Sequence, residues 1–358
     1  MSLRAADLSS PLWPLARPID ADVLGAGLSG LPAVLDTATM RRALGPIMSP
    51  RGAATDVGVL SAELVDFKFD KRALIAYELE TRDGAQLVLG KHFADLSHAR
   101  RVYEVLAALY ATTDNSSSRW SVPRPLGWLP QHGLVLYVPV GGRFLDEELP
   151  SDAARSMGLA AECLAELHST EMALDRSLDV AREAVSITTW AAVVADAFPD
   201  LALKARGLDR ELVHLAGDIA FGSEVPIHKD VHYRHMVVGE KLILLDLDEM
   251  RLGDPSFDVA HFCTHLHLLA LRRDMSAREL ERPFLEAYAR HRPWAADERF
   301  GFFFAYTCLK LAWLLCLGEG VAPRPTGAER HRQTSALLDL GASRLEPLAS
   351  GSSRRPVR

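Results

Sequence analysis

Residues 227–258, IHKDVHYRHMVVGEKLILLDLDEMRLGDPSFD, hold the side chains of this sequence best suited to chemistry. His228, Lys229 and Asp230 open a polar, histidine-rich loop. Residues 236–238 read as a short apolar strand, and Gly239-Glu240 as a tight turn. Residues 242–245 are a second strand of continuous Leu and Ile that runs into Asp246. A hairpin-like ribbon of this kind is expected to bring Asp230 and Asp246 near each other. Two such carboxylates suit phosphoryl transfer. One positions or deprotonates an acceptor hydroxyl, while the other holds the metal that neutralises a triphosphate.

The elements that must position these groups fall into two halves. Residues 61–67, 73–80 and 85–93 alternate apolar and polar side chains, which predicts three strands joined by turns at 68–72 and 82–84. A helix is predicted from Ser97 to about Tyr110, with Val102, Leu106 and Leu109 at helical spacing. Residues 133–139 form an apolar strand that runs into Val140-Gly141-Gly142, a natural crossing point between lobes. Beyond Ser151, long amphipathic helices are predicted at 151–170, 183–197, 208–220, 257–272, 277–291, 298–318 and 328–344. Strands followed by helices indicate an α+β bilobal chain rather than alternating βαβ units. The division expected is an N-terminal extension over 1–55, a sheet-rich lobe over 56–140, a helical lobe over 141–348 and a disordered tail over 349–358. The Gly/Pro/Ala-rich first 35 residues read as an ordered extension or a loose arm that could mediate a dimer. Their GxGxxG string, Gly25 to Gly30, lacks a buried strand before it and meets Pro32 almost at once, so a dinucleotide fingerprint is not supported.

The array at 227–258 resembles the aminoglycoside phosphotransferase / choline kinase-like group, which shares the protein-kinase-like fold. His228-x-Asp230, the strand ending on Asp246, Gly253-Asp254-Pro255 and Asp258 fall at that group's spacings. The resemblance implies a bilobal fold with a small antiparallel N-lobe and a larger helical C-lobe, using ATP and Mg²⁺ on a small-molecule substrate. It implies that Asp230 is the catalytic base or acceptor-orienting residue, Asp246 the Mg²⁺ ligand, and Asp258 a carboxylate bracing the catalytic loop. Two positions depart from the pattern. His235 stands where the group has Asn, and Leu247-Asp248 follow Asp246 where it has Trp. Either His235 holds a second metal, or Asp248 takes over, or one ion alone is bound; imidazole suits Mg²⁺ less well than oxygen ligands do.

Within the first half, the resemblance makes Lys91 the phosphate-gripping lysine and residues 136–139, with Tyr137 and Val138, the hinge that reads adenine; Glu104 is either the ion-pair partner of Lys91 or a surface residue paired with Arg100 or Arg101 on its own helix. The turn at 68–72 would cover the phosphates, yet it lacks glycine, and Lys68, Lys71 or Arg72 could supply charge there. His261 and His265 sit at i, i+4 with no convincing third ligand and are expected to pack beneath the catalytic loop. The apolar run at 301–317, interrupted by Lys310, reads as a buried helix.

Composition narrows the remaining classes. A net charge of −7 argues against nucleic-acid binding, and the four cysteines form no CxxC pair. No stretch approaches about 18 uninterrupted apolar residues, so neither a membrane span nor a membrane partner is expected. The expectation is a cytoplasmic enzyme, a phosphotransferase acting on a hydroxyl of an amino sugar, an aminoglycoside-type antibiotic or a related metabolite. The other reading is a catalytically weak or inactive kinase-like nucleotide-binding scaffold. A protein kinase is disfavoured, because no Asp-Phe-Gly and no Ala-Pro-Glu occurs.

Overall fold

The computed structural model describes residues 28–48, 57–68, 70–82, 84–114, 117–220, 222, 224–318 and 325–352. Helices α1 (Leu31–Leu35) and α2 (Thr37–Met48) precede strands β1 (Gly58–Lys68), β2 (Arg72–Thr81) and β3 (Gly84–Phe93). Helix α3 (Leu96–Asp114) and strands β4 (Trp120–Ser121), β5 (Pro125–Leu129), β6 (Leu134–Tyr137) and β7 (Arg143–Phe144) follow. Next come α4 (Leu145–Leu167), α5 (Val180–Ala197), α6 (Ala202–Asp218), β8 (Val225–Ile227), β9 (Met236–Val238), β10 (Leu242–Leu244) and β11 (Arg251–Gly253). Helices α7 (Ser256–Arg273), α8 (Ala277–His291), α9 (Glu298–Cys316) and α10 (Gly327–Ser352) complete the chain. It is the mixed α+β architecture expected, strands first and helices after.

The chain divides into two compact units. The first runs to Glu147 and includes residues 236–248. Its main sheet is ordered β1-β2-β3-β6-β5, and every pairing in it is antiparallel. A second sheet is ordered β4-β10-β9-β7, so the β9–β10 hairpin belongs with the strands rather than with the helical half where the sequence reading put it. Helices α1 and α2 are part of this unit's core, with Leu31, Val34, Met40 and Leu44 fully buried, while residues 1–27 of the expected extension or arm lie outside the described residues. Each such side chain contributes about 2 kcal/mol of burial. The Tyr77 hydroxyl donates to the Val34 carbonyl at 2.7 Å, tying the helices to the sheet. Gly90 makes room for that ring, since a Cβ there would approach Tyr77 Cε2 to 2.6 Å. Of the GxGxxG string, Gly25 and Gly27 lie outside the described residues, while Gly30 precedes the five-residue α1 at φ +85°.

The second unit is helical. It begins within α4, which is kinked at Asp152 just after Pro150. Helix α9 is long and apolar enough to cross a membrane by composition alone, yet 72% of its apolar window is buried inside the protein, as a core helix requires. The short pair β8–β11 carries the two loops that matter below, one leaving Ile227 and one leaving Gly253. Of the tail expected to be disordered, residues 349–352 close α10, and 353–358 lie outside the described residues.

Candidate active site

In the first unit, the chemistry gathers around Lys91. Its place in β3, opposite Leu74 of β2 and Val135 of β6, puts the side chain inside the unit, where it is only 8% exposed. A buried ammonium needs compensation. Lys91 Nζ donates to Asp246 Oδ1 at 2.7 Å and to Asp248 Oδ1 at 2.7 Å. Arg72, opening β2, adds Nη2 to Asp246 Oδ2 at 3.4 Å and Nε to Asp248 Oδ2 at 3.6 Å. Asp246 holds a left-handed φ of 59°, a strained conformation for a residue with a Cβ. Burial, then the neighbouring Asp246, pushes the Asp248 carboxyl up; Lys91 and Arg72 work against that.

Two expectations for this unit need correction. Glu104 does not hold Lys91. It lies on the solvent side of α3, paired with Arg100 at 3.5 Å, and both side chains are more than half exposed. Asp246 and Asp248 take its place because they arrive on the β10 end next to β3's inward face. At the hinge, the Val138 backbone N–H is already committed to the Arg124 carbonyl at 2.9 Å, which extends the β5–β6 pairing and removes that donor from any ligand. Tyr137 is held by β-pairing to Leu89 and Pro125, and its phenol, pushed up by burial, lies within the field of Asp248 and Asp246.

In the second unit, Asp258 organises the loop that carries Asp230. It sits in the first turn of α7, fully buried, and accepts from the His228 N–H at 2.6 Å and the Lys229 N–H at 2.8 Å. His168 Nε2 lies 3.1 Å from the same carboxylate, and its Nδ1 is 2.7 Å from the Tyr288 hydroxyl. Burial pushes Asp258 up, but the hydrogen bond from His168 and the His228 amide outweigh it and lower its pKa. These bonds hold Lys229 at φ 69°, another left-handed residue with a Cβ. The bracing role expected of Asp258 is therefore built from backbone donors. Beside it, Asp254 accepts from Ser256 N–H at 2.8 Å and Gly222 N–H at 2.6 Å, fixing the start of α7.

The loop presents Asp230 with its side chain 42% exposed. Lys310 of α9 donates to its Oδ1 at 2.9 Å, and His261 Nε2 lies 3.6 Å from the same oxygen. Burial raises the Asp230 pKa, but its neighbours, the Lys310 ammonium first among them, more than reverse this and hold it well below the ordinary carboxylate range. His235 uses Nδ1 to donate to the Asp230 carbonyl at 2.8 Å, which leaves Nε2 as the nitrogen with the lone pair. His232 stacks on it with centroids 3.6 Å apart, and His261 and His265 continue the group beneath the loop as expected. Burial drives His232 and His265 well below the usual histidine value and His261 to about 4, so all three are neutral at pH 7.

Asp230 and His235 belong to the second unit, Asp246 and Asp248 to the first. Among the described residues, no three His, Cys, Asp or Glu side chains converge as a self-sufficient metal site. The donor set in the first unit is two carboxylates, which fits a hard divalent cation that completes its shell with phosphate and water oxygens. Sequence reasoning missed His168, Lys310 as a partner of Asp230, and Asp248 as a partner of Lys91. Only Lys310 left a local signal, a charge within an apolar helix.

Residues 74–296 match the model of the phosphotransferase enzyme family. Among solved structures, the chain resembles a protein from Ralstonia eutropha assigned as an aminoglycoside phosphotransferase, at 18% identity and a TM-score of 0.57, covering 85% of this chain and 98% of that one. It also resembles a choline kinase from Streptococcus pneumoniae, at 14% identity and a TM-score of 0.55, covering 84% and 99%. An amicoumacin kinase in complex with AMP-PNP, Ca²⁺ and Ami gives 13% identity and a TM-score of 0.52, covering 78% and 88%. At these identities the likeness speaks to the fold. No curated protein sequence matches the chain. A family match over more than half the chain, on the segment that carries Lys91, Asp230, Asp246 and Asp258, makes this chain a member of the phosphotransferase enzyme family.

Proposed function

We propose that the protein transfers the γ-phosphoryl group of ATP to a hydroxyl of a small polar molecule, such as an amino sugar, an aminoglycoside-type antibiotic or a related metabolite, in the cytoplasm. The observation that carries this reading is the presentation of Asp230 on a loop whose backbone is fixed by the buried Asp258. One oxygen of Asp230 is engaged by Lys310, and the other accepts from no described residue. An acceptor hydroxyl can donate to that open oxygen, which orients its lone pair for attack and receives its proton. Lys91 would grip the nucleotide phosphates, with Arg72 close by at the turn that leads into β2. Tyr137 and the carbonyl side of the 136–139 strand would face the nucleotide. Asp246 and Asp248 would hold Mg²⁺. When bound, the ion supplies charge neutralisation for the triphosphate.

Replacing Asp230 by Ala should abolish ATP consumption against a panel of aminoglycosides, amino sugars and polyols while thermal melting stays within a few degrees. Undiminished turnover by this variant would sink the assignment. The His235 ring, already serving the loop through Asp230's carbonyl, keeps a second reading in view, a nucleotide-binding scaffold without catalysis. ATP-dependent thermal stabilisation with no turnover on any acceptor would favour that reading.

A further inference from the structure

We propose that Lys310 is a positioning residue for this reaction: reaching from α9, it pins one oxygen of the Asp230 carboxylate so that the other is held open toward the acceptor hydroxyl. The inference rests on the reading of Asp230 as the acceptor-orienting group.

Helix α9 buries Phe303, Phe304, Leu309 and Leu311, and a lysine in such a helix is costly unless its charge is met. Lys310 is 18% exposed, and it meets Asp230, 80 residues away in sequence, at 2.9 Å. Its remaining N–H donors find no partner among the described residues. No cation of the loop does this work. Lys229, adjacent in sequence, turns its ammonium to Glu183 at 2.9 Å and over the Phe257 ring at 5.6 Å. His232 is buried, neutral, and accepts from the Arg234 N–H through Nδ1 at 3.1 Å.

His261 is also no substitute. Its Nδ1 lies 3.2 Å from Thr307 Oγ1, and the Thr307 hydroxyl donates to the Phe303 carbonyl at 2.8 Å. Thr307 can therefore only accept from His261, so Nδ1 carries the ring proton and Nε2 offers none to Asp230. That accounts for the buried His261 Nε2 having no hydrogen-bond partner. Lys310 is thus the charged partner of Asp230 among the described residues. The other titratable groups facing Asp230 are His261 and His265 from α7, His232 and His235 from the loop, and Tyr306 from α9.

The chemistry follows from the pinning. A bond forms between the acceptor oxygen and the γ-phosphorus as the bond from that phosphorus to the β,γ-bridging oxygen breaks. ADP leaves, and the hydroxyl proton passes to Asp230. A carboxylate paired with an ammonium is a weaker base but a better fixed one, so Lys310 contributes through alignment rather than proton affinity.

The test uses the full chain with ¹³C-labelled aspartate, the Asp230 carboxyl signal being identified by its loss in Asp230→Asn. In Lys310→Met its titration midpoint should rise by about one pH unit or more, and in Lys310→Arg it should stay low. Hydrolysis of MgATP, with water as acceptor, should fall on the order of 10²-fold in Lys310→Met at nearly constant KM for ATP, with Lys310→Arg recovering most of it. An unmoved midpoint in Lys310→Met, or a moved midpoint with unchanged hydrolysis, overturns the inference. Hydrolysis undiminished in Asp230→Asn overturns instead the catalytic reading of Asp230, and the titration then still judges the pinning. If the Met variant does not fold, Lys310→Gln carries the same comparison.

Discussion

The two units solve the same problem, holding carboxylates away from bulk water, in different ways. In the first, Asp246 and Asp248 are neutralised by cationic side chains, Lys91 and Arg72. In the second, Asp258 is satisfied by backbone N–H groups and an imidazole, while the outward Asp230 meets an ammonium. Side-chain ion pairs can exchange partners when a metal or a phosphate arrives. Backbone donors cannot, so the second arrangement fixes a loop while the first keeps charges available. A kinase-type reaction needs both, a rigid acceptor-orienting loop and a re-partnerable phosphate grip.

The largest way to break the comparison is Asp258→Ala, which strands three donors and should cost about 3–5 kcal/mol. Urea unfolding followed by helix signal measures it. No second substitution at His168 should recover the loss, because the His228 and Lys229 amides remain. The first unit should behave otherwise. Lys91→Met alone should cost about 3 kcal/mol, but Lys91→Met with Asp248→Leu should return a good part of it, since both halves of a charge pair are then gone. If the double variant is as unstable as the sum of the singles, the cluster is not the exchangeable ion-pair set described.

Acid separates the units further. His232, His261 and His265 have folded pKa values below the unfolded value of about 6.5. As pH falls below that value, the unfolded chain takes up protons that the folded chain refuses, so stability falls with pH. With a folded value of about 4, His261 alone contributes a loss of about 2 kcal/mol by pH 5. His265→Leu should flatten the decline between pH 7 and 5 by about 1 kcal/mol per pH unit, measured as urea midpoints across that range. An unchanged slope would mean that His265 titrates normally in the fold. The smallest effect tests a correction. Glu104→Ala, removing an exposed pair with Arg100, should change stability by less than about 0.5 kcal/mol and leave the KM for ATP alone.

Much of the framework was legible in the sequence because it is written in local periodicity. Alternation at 61–67, 73–80 and 85–93 predicted β1 to β3 within a few residues, and apolar spacing predicted the helices from α3 onward. Helices α1 and α2 were not legible, for their Gly- and Pro-rich surroundings dilute any period, and only contact with the sheet shows that Leu31, Val34, Met40 and Leu44 are core.

The sequence by itself determined which carboxylates stand where along the chain. The spacing of His228, Asp230, Asp246 and Asp258 reports loops and strand ends that local backbone rules already dictate. Only the tertiary structure decided who partners whom. Lys91 chose Asp246 and Asp248, 155 and 157 positions away, over the nearby Glu104. Asp258 drew His168 from 90 positions upstream, and Asp230 drew Lys310 from 80 positions downstream. Electrostatic pairing depends on distance and burial in space, neither of which is a function of separation along the chain.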